Sequence, residues 1–284
     1  MALIASSTSS VIPHERELID FATLNHQMVK YPVKNLTRDG LNTIEIDPGS
    51  DAFINLHKSR LIMTCRLKTR AGENLVYDAN APNYSDVSVI NQFGHSVFRN
   101  FSIYTSNNKS QPIYTSVHGN YGLVNYIKAL KRETVKPTRK RTDGFSADTD
   151  TGPVVTSLHA GNNGLLSRGQ DYFGSRVVTY SSDLGIPLSD EDVLLPPGMK
   201  LYVEAEFAND ALNILIPQQL PNQVADIFYQ LEILSLEIDL SQSYLRPEAF
   251  LGYNDLLTTQ DFTRFYTDHQ IKVSDLQLII IYCL

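Results

Sequence analysis

The run Leu61-Ile62-Met63-Thr64-Cys65-Arg66-Leu67-Lys68 alternates strictly. Leu61, Met63, Cys65 and Leu67 fall on one side, and Ile62, Thr64, Arg66 and Lys68 on the other. Successive side chains of a strand point to opposite faces, so this period of two predicts a strand with one face in a core and one toward water. Lys200–Phe207 repeats the pattern, with Leu201, Val203, Ala205 and Phe207 alternating with Tyr202, Glu204 and Glu206. The longest such segment, Asp226–Leu240, keeps the period but changes phase. Ile227, Tyr229, Leu231 and Ile233 share one face, then Leu234, Leu236, Ile238 and Leu240 share the other. One extra residue reconciles the two sets, so the slip near Leu234 predicts a β-bulge or a strong bend.

Working outward, Thr43–Ile46, Phe101–Thr105, Ile113–Thr115, Arg176–Tyr180 and Ile271–Leu284 also read as strands, and Val87–Ile90 either starts a strand or ends a loop. Asp47-Pro48-Gly49, Ala71-Gly72-Glu73-Asn74 and Pro196-Pro197-Gly198 supply turns. Asn91–Arg99 has room for one or two helical turns. Asn120–Arg132 is the clear helix, because Leu123, Tyr126, Ile127 and Leu130 recur at i, i+3, i+4 and i+7. Residues 133–175 read mostly as loop. The sum is an all-β protein, an antiparallel jelly-roll sandwich of about eight strands with one short helix and long loops. A barrel or an immunoglobulin-like sandwich fits the alternation nearly as well. The expected division is an N-terminal arm over 1–40, a jelly-roll domain over 41–243, and a C-terminal extension over 244–284 with a final strand, which could open a second roll.

Composition bounds the chemistry. The 284 residues carry 24 Lys and Arg against 31 Asp and Glu, a net charge of −7. Such a chain does not coat nucleic acid with its whole surface. Two cysteines exclude a disulfide scaffold. No apolar run is long enough for a transmembrane helix, and the opening MALIASSTSS lacks the basic start of a signal peptide, so synthesis in the cytosol is expected. No phosphate loop, GxSxG elbow or HExxH pair is present. No catalytic residue, metal site or cofactor is therefore assigned. His57, His95 and His118 could be gathered only by the fold. Cys65 reads as a core thiol. Asp143, Asp148 and Asp150, and Asp190, Glu191 and Asp192, read as solvated loop carboxylates. The sequons at Asn35, Asn83, Asn100 and Asn108 read as chance.

The sharpest local feature is basic. Lys128, Lys131, Arg132, Lys136, Arg139, Lys140 and Arg141 fall within 14 residues, together with the single acid Glu133. The rest of the chain then holds 17 basic and 30 acidic residues. Concentrated positive charge of this kind holds phosphates or serves as a nuclear-import signal, so these seven residues are the candidate site. No aromatic residue lies between Lys128 and Arg141, which weakens the case for single-strand base stacking.

Certain stretches also carry a resemblance. They are Ile46–Ser50 through Phe53–Leu61 with Cys65-Arg66-Leu67, Val89-Ile90-Asn91 with His95–Asn100, Tyr121–Leu130, and Tyr229–Leu240 followed by Ser243-Tyr244-Leu245. Their order resembles capsid-like proteins of adintoviruses and Maverick/Polinton-type elements, over residues 45–250. The resemblance implies a jelly-roll shell protein that self-assembles as a trimer or pentamer, meets other capsid proteins, encloses double-stranded DNA and resides in the virion, with nuclear entry as an option. Relatives of that kind run on into further strands beyond the position of Asp268. Two forms follow: a compact single-roll protein of vertex or minor-capsid type, or the first roll of a double-roll major capsid protein. A carbohydrate- or ligand-binding β-sandwich is the alternative, with Tyr104, Tyr114 and Tyr121 stacking on sugars. A cupin-like enzyme ranks last, for want of a compact histidine set.

Overall fold

Among the described residues there are eight strands of four residues or more: β1 Thr23–Pro32, β2 Leu41–Ile46, β3 Ala52–Thr69, β4 Phe98–Thr105, β5 Pro112–Thr115, β6 Val178–Ser182, β7 Leu201–Phe207 and β8 Tyr229–Leu245. The computed structural model describes residues 23–76, 87–105, 112–116, 120–135, 142–149, 162–190, 194–215 and 229–251. One sheet runs in the order β1-β8-β3-β6, with Leu194–Leu195 also paired to β3, and the other runs β2-β7-β4-β5. All pairs are antiparallel.

This strand order settles the architecture. β1 pairs with β8, β2 with β7, β3 with β6 and β4 with β5. The strands thus match first to last, second to seventh, and so inward, as in a long hairpin wound on itself. Two four-stranded sheets then close over one core, which is the jelly roll and neither an up-and-down barrel nor an immunoglobulin-like sandwich. The core lies between the inner faces. Ile44, Ile46, Phe101, Ile103, Val203 and Ala205 come from one sheet, and Leu61, Met63, Cys65, Leu67, Leu236, Ile238 and Leu240 from the other.

The phase slip is a bulge. The β8/β3 register shifts between Ile233 and Ser235 and passes over Leu234. That single extra residue puts both Leu231 before it and Leu236, Ile238 and Leu240 after it in the core, and leaves Leu234 exposed. A second irregularity sets Leu56–Ser59 of β3 against Leu240 alone. Local polar bonds hold it. Ser59 Oγ donates to Asn55 O at 2.6 Å, the Ser241 amide donates to Ser59 Oγ at 3.0 Å, and the Lys58 amide donates to Asn55 Oδ1 at 3.1 Å. The bend divides β3, which meets Leu194–Leu195 through Ile54 and Asn55 and β6 through Leu61–Cys65.

Three sequence readings need correction. Thr23–Pro32, placed in the arm, is an integral strand whose Tyr31 and Val29 sit opposite Ile238 and Leu240. As a sheet edge it is exposed along Asn25–Met28, so its sequence lacks the clean alternation that announces a strand. Residues 133–175 contain more than loop: a helix spans Asn163–Gln170, capped by the Asn162 side chain accepting the Leu165 amide. A single helix was expected, yet this one joins the longer helix Tyr121–Val135 and short turns such as Phe93–Ser96. The reading of Ile271–Leu284 as a strand lies outside the described residues.

Candidate functional surfaces

We label Tyr121–Val135 α1 and Asn163–Gln170 α2. α1 carries the first part of the basic run and joins β5 toward β6. It meets the roll through Tyr121, Gly122, Asn125 and Ala129, all buried. The Tyr121 ring stacks on Phe101 at 4.6 Å, and its hydroxyl donates to Leu184 O at 2.7 Å. Burial without a compensating charge pushes this phenol well above its ordinary pKa, so it stays protonated as a donor. Gly122 is needed for contact, since a Cβ there would stand 2.6 Å from Ser96 Cα. Gly185, at φ +64°, lets Asn125 come within 2.5 Å of where its own Cβ would lie. Asn125 in turn donates to Tyr121 O at 2.9 Å.

The inward face of α1 is therefore small, aromatic or amide-bearing, and the apolar stripe faces out. Leu123, Ile127 and Leu130 are 42%, 38% and 42% exposed. The helix packs by backbone proximity at Gly122 and Ala129 and by the stacked Tyr121, a mode that an aliphatic stripe would hold farther off.

Of the seven basic candidates, the structure describes the side chains of Lys128 and Lys131. Lys128 turns back onto the protein, donating to Asp190 Oδ2 at 2.6 Å and to Gly185 O at 3.4 Å. It joins one residue of the basic run to one of the acidic cluster Asp190–Asp192. Lys131 is exposed on the flank of the apolar stripe. Arg132 lies in α1, while Lys136, Arg139, Lys140 and Arg141 lie outside the described residues.

Among the other flagged groups, Asp150, Glu191 and Asp192 lie outside the described residues, and Asp143 and Asp148 hold local structure. Asp143 is buried, not solvated; its carboxylate accepts from Gln92 Nε2 at 3.1 Å and from the Phe145 amide at 3.2 Å. Asp148 accepts from Arg168 Nη2 and Asn91 Nδ2, each at 3.0 Å. Arg168, which sequence reasoning missed, is buried in α2. It also donates to Val89 O and Ser146 O at 3.0 Å, so its fork ties α2, the Ser88–Val89 segment and the loop at 146–148 together. Only the Asn162 cap signalled this helix, and nothing in the sequence marked its arginine for burial.

His57 and His95 bond separate partners. His57 Nδ1 bonds Ser189 O at 2.8 Å, His95 is buried between Gln92 Nε2 and the Asp183 carbonyl, each at 2.9 Å, and His118 lies outside the described residues. Among the described residues no group of three His, Cys, Asp or Glu is placed to hold a metal ion. Cys65 is a core thiol beside the Tyr172 hydroxyl at 3.6 Å, and burial pushes its pKa up to about 12, out of nucleophilic range. The tyrosines offered for sugar stacking sit mainly inside: Tyr121 is fully buried, Tyr114 nearly so, and Tyr104 lies half-buried in β4. Of the three, Tyr104 alone offers part of its side chain to solvent beyond a trace.

An open cleft of about 910 Å³ lies where the sheets part, lined by Arg38, Lys68, Arg99, Glu206, Asp210 and Glu232 among others. Its charges largely neutralise one another. Arg38 pairs with Asp210 at 2.5 Å and covers the Phe207 ring at 5.6 Å, Lys68 pairs with Glu232 at 3.2 Å, and Arg99 with Glu206 at 3.6 Å. No helix among the described residues is long and apolar enough to cross a membrane.

No family model matches the sequence, and no curated protein matches it. Among solved structures, the chain is similar to the Sputnik virophage structure determined by cryo-EM, with TM-score 0.46, 9% identity and coverage of 80% of this chain and 49% of that one. It is also similar to the mavirus major capsid protein, with TM-score 0.43, 12% identity and coverage of 85% and 49%. A third is PBCV-1 VP54 fitted into a Sputnik reconstruction, with TM-score 0.41, 6% identity and coverage of 81% and 45%. The chain spans about half the length of the structures it matches.

Proposed function

We propose that this chain is a structural protein of a viral capsid, acting by self-association. The observation that carries the reading is the closed first-to-last strand pairing of a jelly roll, found in a sequence whose motifs resemble capsid-like proteins. A fold alone does not fix a function. Here the fold offers surfaces in place of a reactive pocket. Its cleft charges are spent on ion pairs, its thiol is buried, and its apolar helix stripe faces out.

The finer assignment follows the same reading. The chain forms a homo-oligomer, a trimer or pentamer, within a shell shared with other capsid proteins and resident in the virion. It is either a single-roll penton or minor protein or the first roll of a double-roll major protein. The roll from β1 to β8 is the shell-forming unit, with the segment before Thr23 and the C-terminal extension serving contacts. Residues 136–141 carry the remainder of the basic run toward packaged DNA or nuclear import. The test is light scattering with negative-stain microscopy across protein and salt concentration. Closed rings or shells are expected. A monomer under all conditions overturns the reading and returns weight to a ligand-binding sandwich.

A further inference from the structure

Strand β1 hides little of itself. Of the side chains from Asn25 to Pro32, Val29 and Tyr31 are half-buried and the other six are exposed. Its hold on the roll is register and polar bonding to β8. His26 Nδ1 lies 2.8 Å from Ser243 Oγ, and Gln27 Nε2 donates to Gln242 Oε1 at 3.1 Å and to the Tyr244 hydroxyl at 2.6 Å. Lys30 donates to Glu237 at 2.9 Å, and Gln242 Nε2 donates to the Tyr31 hydroxyl at 2.9 Å. A segment that buries so little apolar surface opens at small cost.

The edge it covers is different. Ile238, Leu240, Ser241, Gln242 and Ser243 of β8 are all buried. With β1 lifted away, the backbone of β8 on that side and the side chains of Gln242 and Ser243 lose partners they cannot do without. A bare edge of this kind recruits another strand. The sequence that matches it in register, from Thr23 opposite Leu245 to Pro32 opposite Glu237, is β1 itself. A second copy of this chain carries the same strand.

The connection permits an exchange. Among the described residues β1 joins the roll through residues 33–40, which pass from one sheet to the other. Eight residues extend to about 26–29 Å, while packed sheets stand about 10 Å apart. The surplus length is folded up by side chains. The Thr37 amide donates to Asn42 Oδ1 at 2.8 Å, Asn42 Nδ2 donates to Thr37 O at 2.9 Å, and Arg38 pairs with Asp210.

We infer that β1 is an exchangeable strand: in the assembled protein it leaves its own roll, residues 33–40 extend, and it pairs with β8 of a neighbouring copy in the same register. The inference rests on the self-association reading and names the element that links the copies. Each β1–β8 bond is made again between chains, so the two arrangements differ chiefly in the folding of the connection. Passing the strand to the next copy closes a ring.

The test traps the strand where it lies. Lys30 and Asp239 stand opposite each other in the register, and opposed residues of an antiparallel pair, about 4.5–5.5 Å apart at Cα, suit a disulfide. Lys30→Cys is made in one full chain and Asp239→Cys in a second that carries a size tag. Both also carry Cys283→Ser, which leaves the buried Cys65 as the one native thiol. The two are unfolded, mixed, refolded together and oxidised, and circular dichroism checks that each folds. A mixed two-chain disulfide is expected, at least tenfold above the dimer that either variant gives alone. A single chain carrying both Lys30→Cys and Asp239→Cys, oxidised while dilute, should lose association at least tenfold in light scattering and recover it on reduction. Association without the mixed disulfide overturns the exchange and leaves self-association standing. A locked chain that assembles as readily as its reduced form overturns it equally. A wild-type chain that never associates defeats the capsid reading, and the exchange with it.

Discussion

The strand Leu201–Phe207 and the helix Tyr121–Val135 both carry apolar residues at the period of their own structure, yet they bury opposite kinds of face. The strand hides Leu201, Val203, Ala205 and Phe207 and shows Tyr202, Glu204 and Glu206. The helix hides Tyr121, Gly122, Asn125 and Ala129 and shows Leu123, Ile127 and Leu130. A strand inside a sheet has its neighbours fixed 4.8 Å away by hydrogen bonds, so its two faces are assigned by which one meets the other sheet. A helix laid over the end of a roll has more freedom. It settles where close approach is available, and small residues with one stacked aromatic give that approach. Periodicity states that two faces exist; it does not state which one the rest of the protein claims.

The comparison is broken most severely at the bulge. Deleting Leu234 would remove the extra residue and turn Leu236, Ile238 and Leu240 to the solvent face, while Leu231 stayed inside. Loss of cooperative unfolding in urea is expected, and retention of a native transition would show that β8 does not depend on this residue for its phase. Next comes the strand face under the helix. Phe101→Ala removes a fully buried ring stacked on Tyr121, at a cost of about 3–5 kcal/mol in denaturant titration.

Gly122→Val sharpens the claim about the helix's inner face. Its side chain would press on Ser96, and overpacking of this kind costs about 1–3 kcal/mol. Ile127→Gln on the outer face should change the unfolding free energy of the isolated chain by less than about 0.5 kcal/mol. A large loss there would mean that the stripe belongs to the core after all. The smallest effect is a titration. Arg66, hydrogen-bonded to Glu232 and aided by Lys68, holds that carboxyl below its ordinary pKa. A lowered carboxylate contributes stability above the ordinary glutamate value and loses it as the pH falls through the lowered one. Wild type and Arg66→Gln should therefore differ slightly at neutral pH and converge in acid, and an unchanged gap down to strong acid would remove the pairing from the account.

Much of the fold was legible because alternation is a local signal. The run Leu61–Lys68 became the second half of β3, Lys200–Phe207 became β7, and the phase slip at Leu234 became a bulge at that residue. Cys65 was readable as core from its place in the same alternation. β1 was illegible because an edge strand half in water carries polar residues on both faces. The burial of Asp143 was hidden because its partners, Gln92 and the Phe145 amide, are brought round it by the packing of the Phe93–Ser96 turn. Arg168 was hidden for the same kind of reason, since its three acceptors lie 20 to 79 positions away in sequence.

By itself, then, the order of residues determined that this chain is built of antiparallel strands, where most of them run, which side of each is apolar, and where one strand changes phase. These follow from side-chain direction and backbone period, which need no knowledge of neighbours. Tertiary structure decided the rest. It chose the roll over the barrel, by pairing β1 with β8 and β2 with β7 across the whole chain. It turned the helix stripe outward and tied Lys128 to Asp190. Each of those outcomes depends on which distant surfaces meet, and burial energy is settled only when they do.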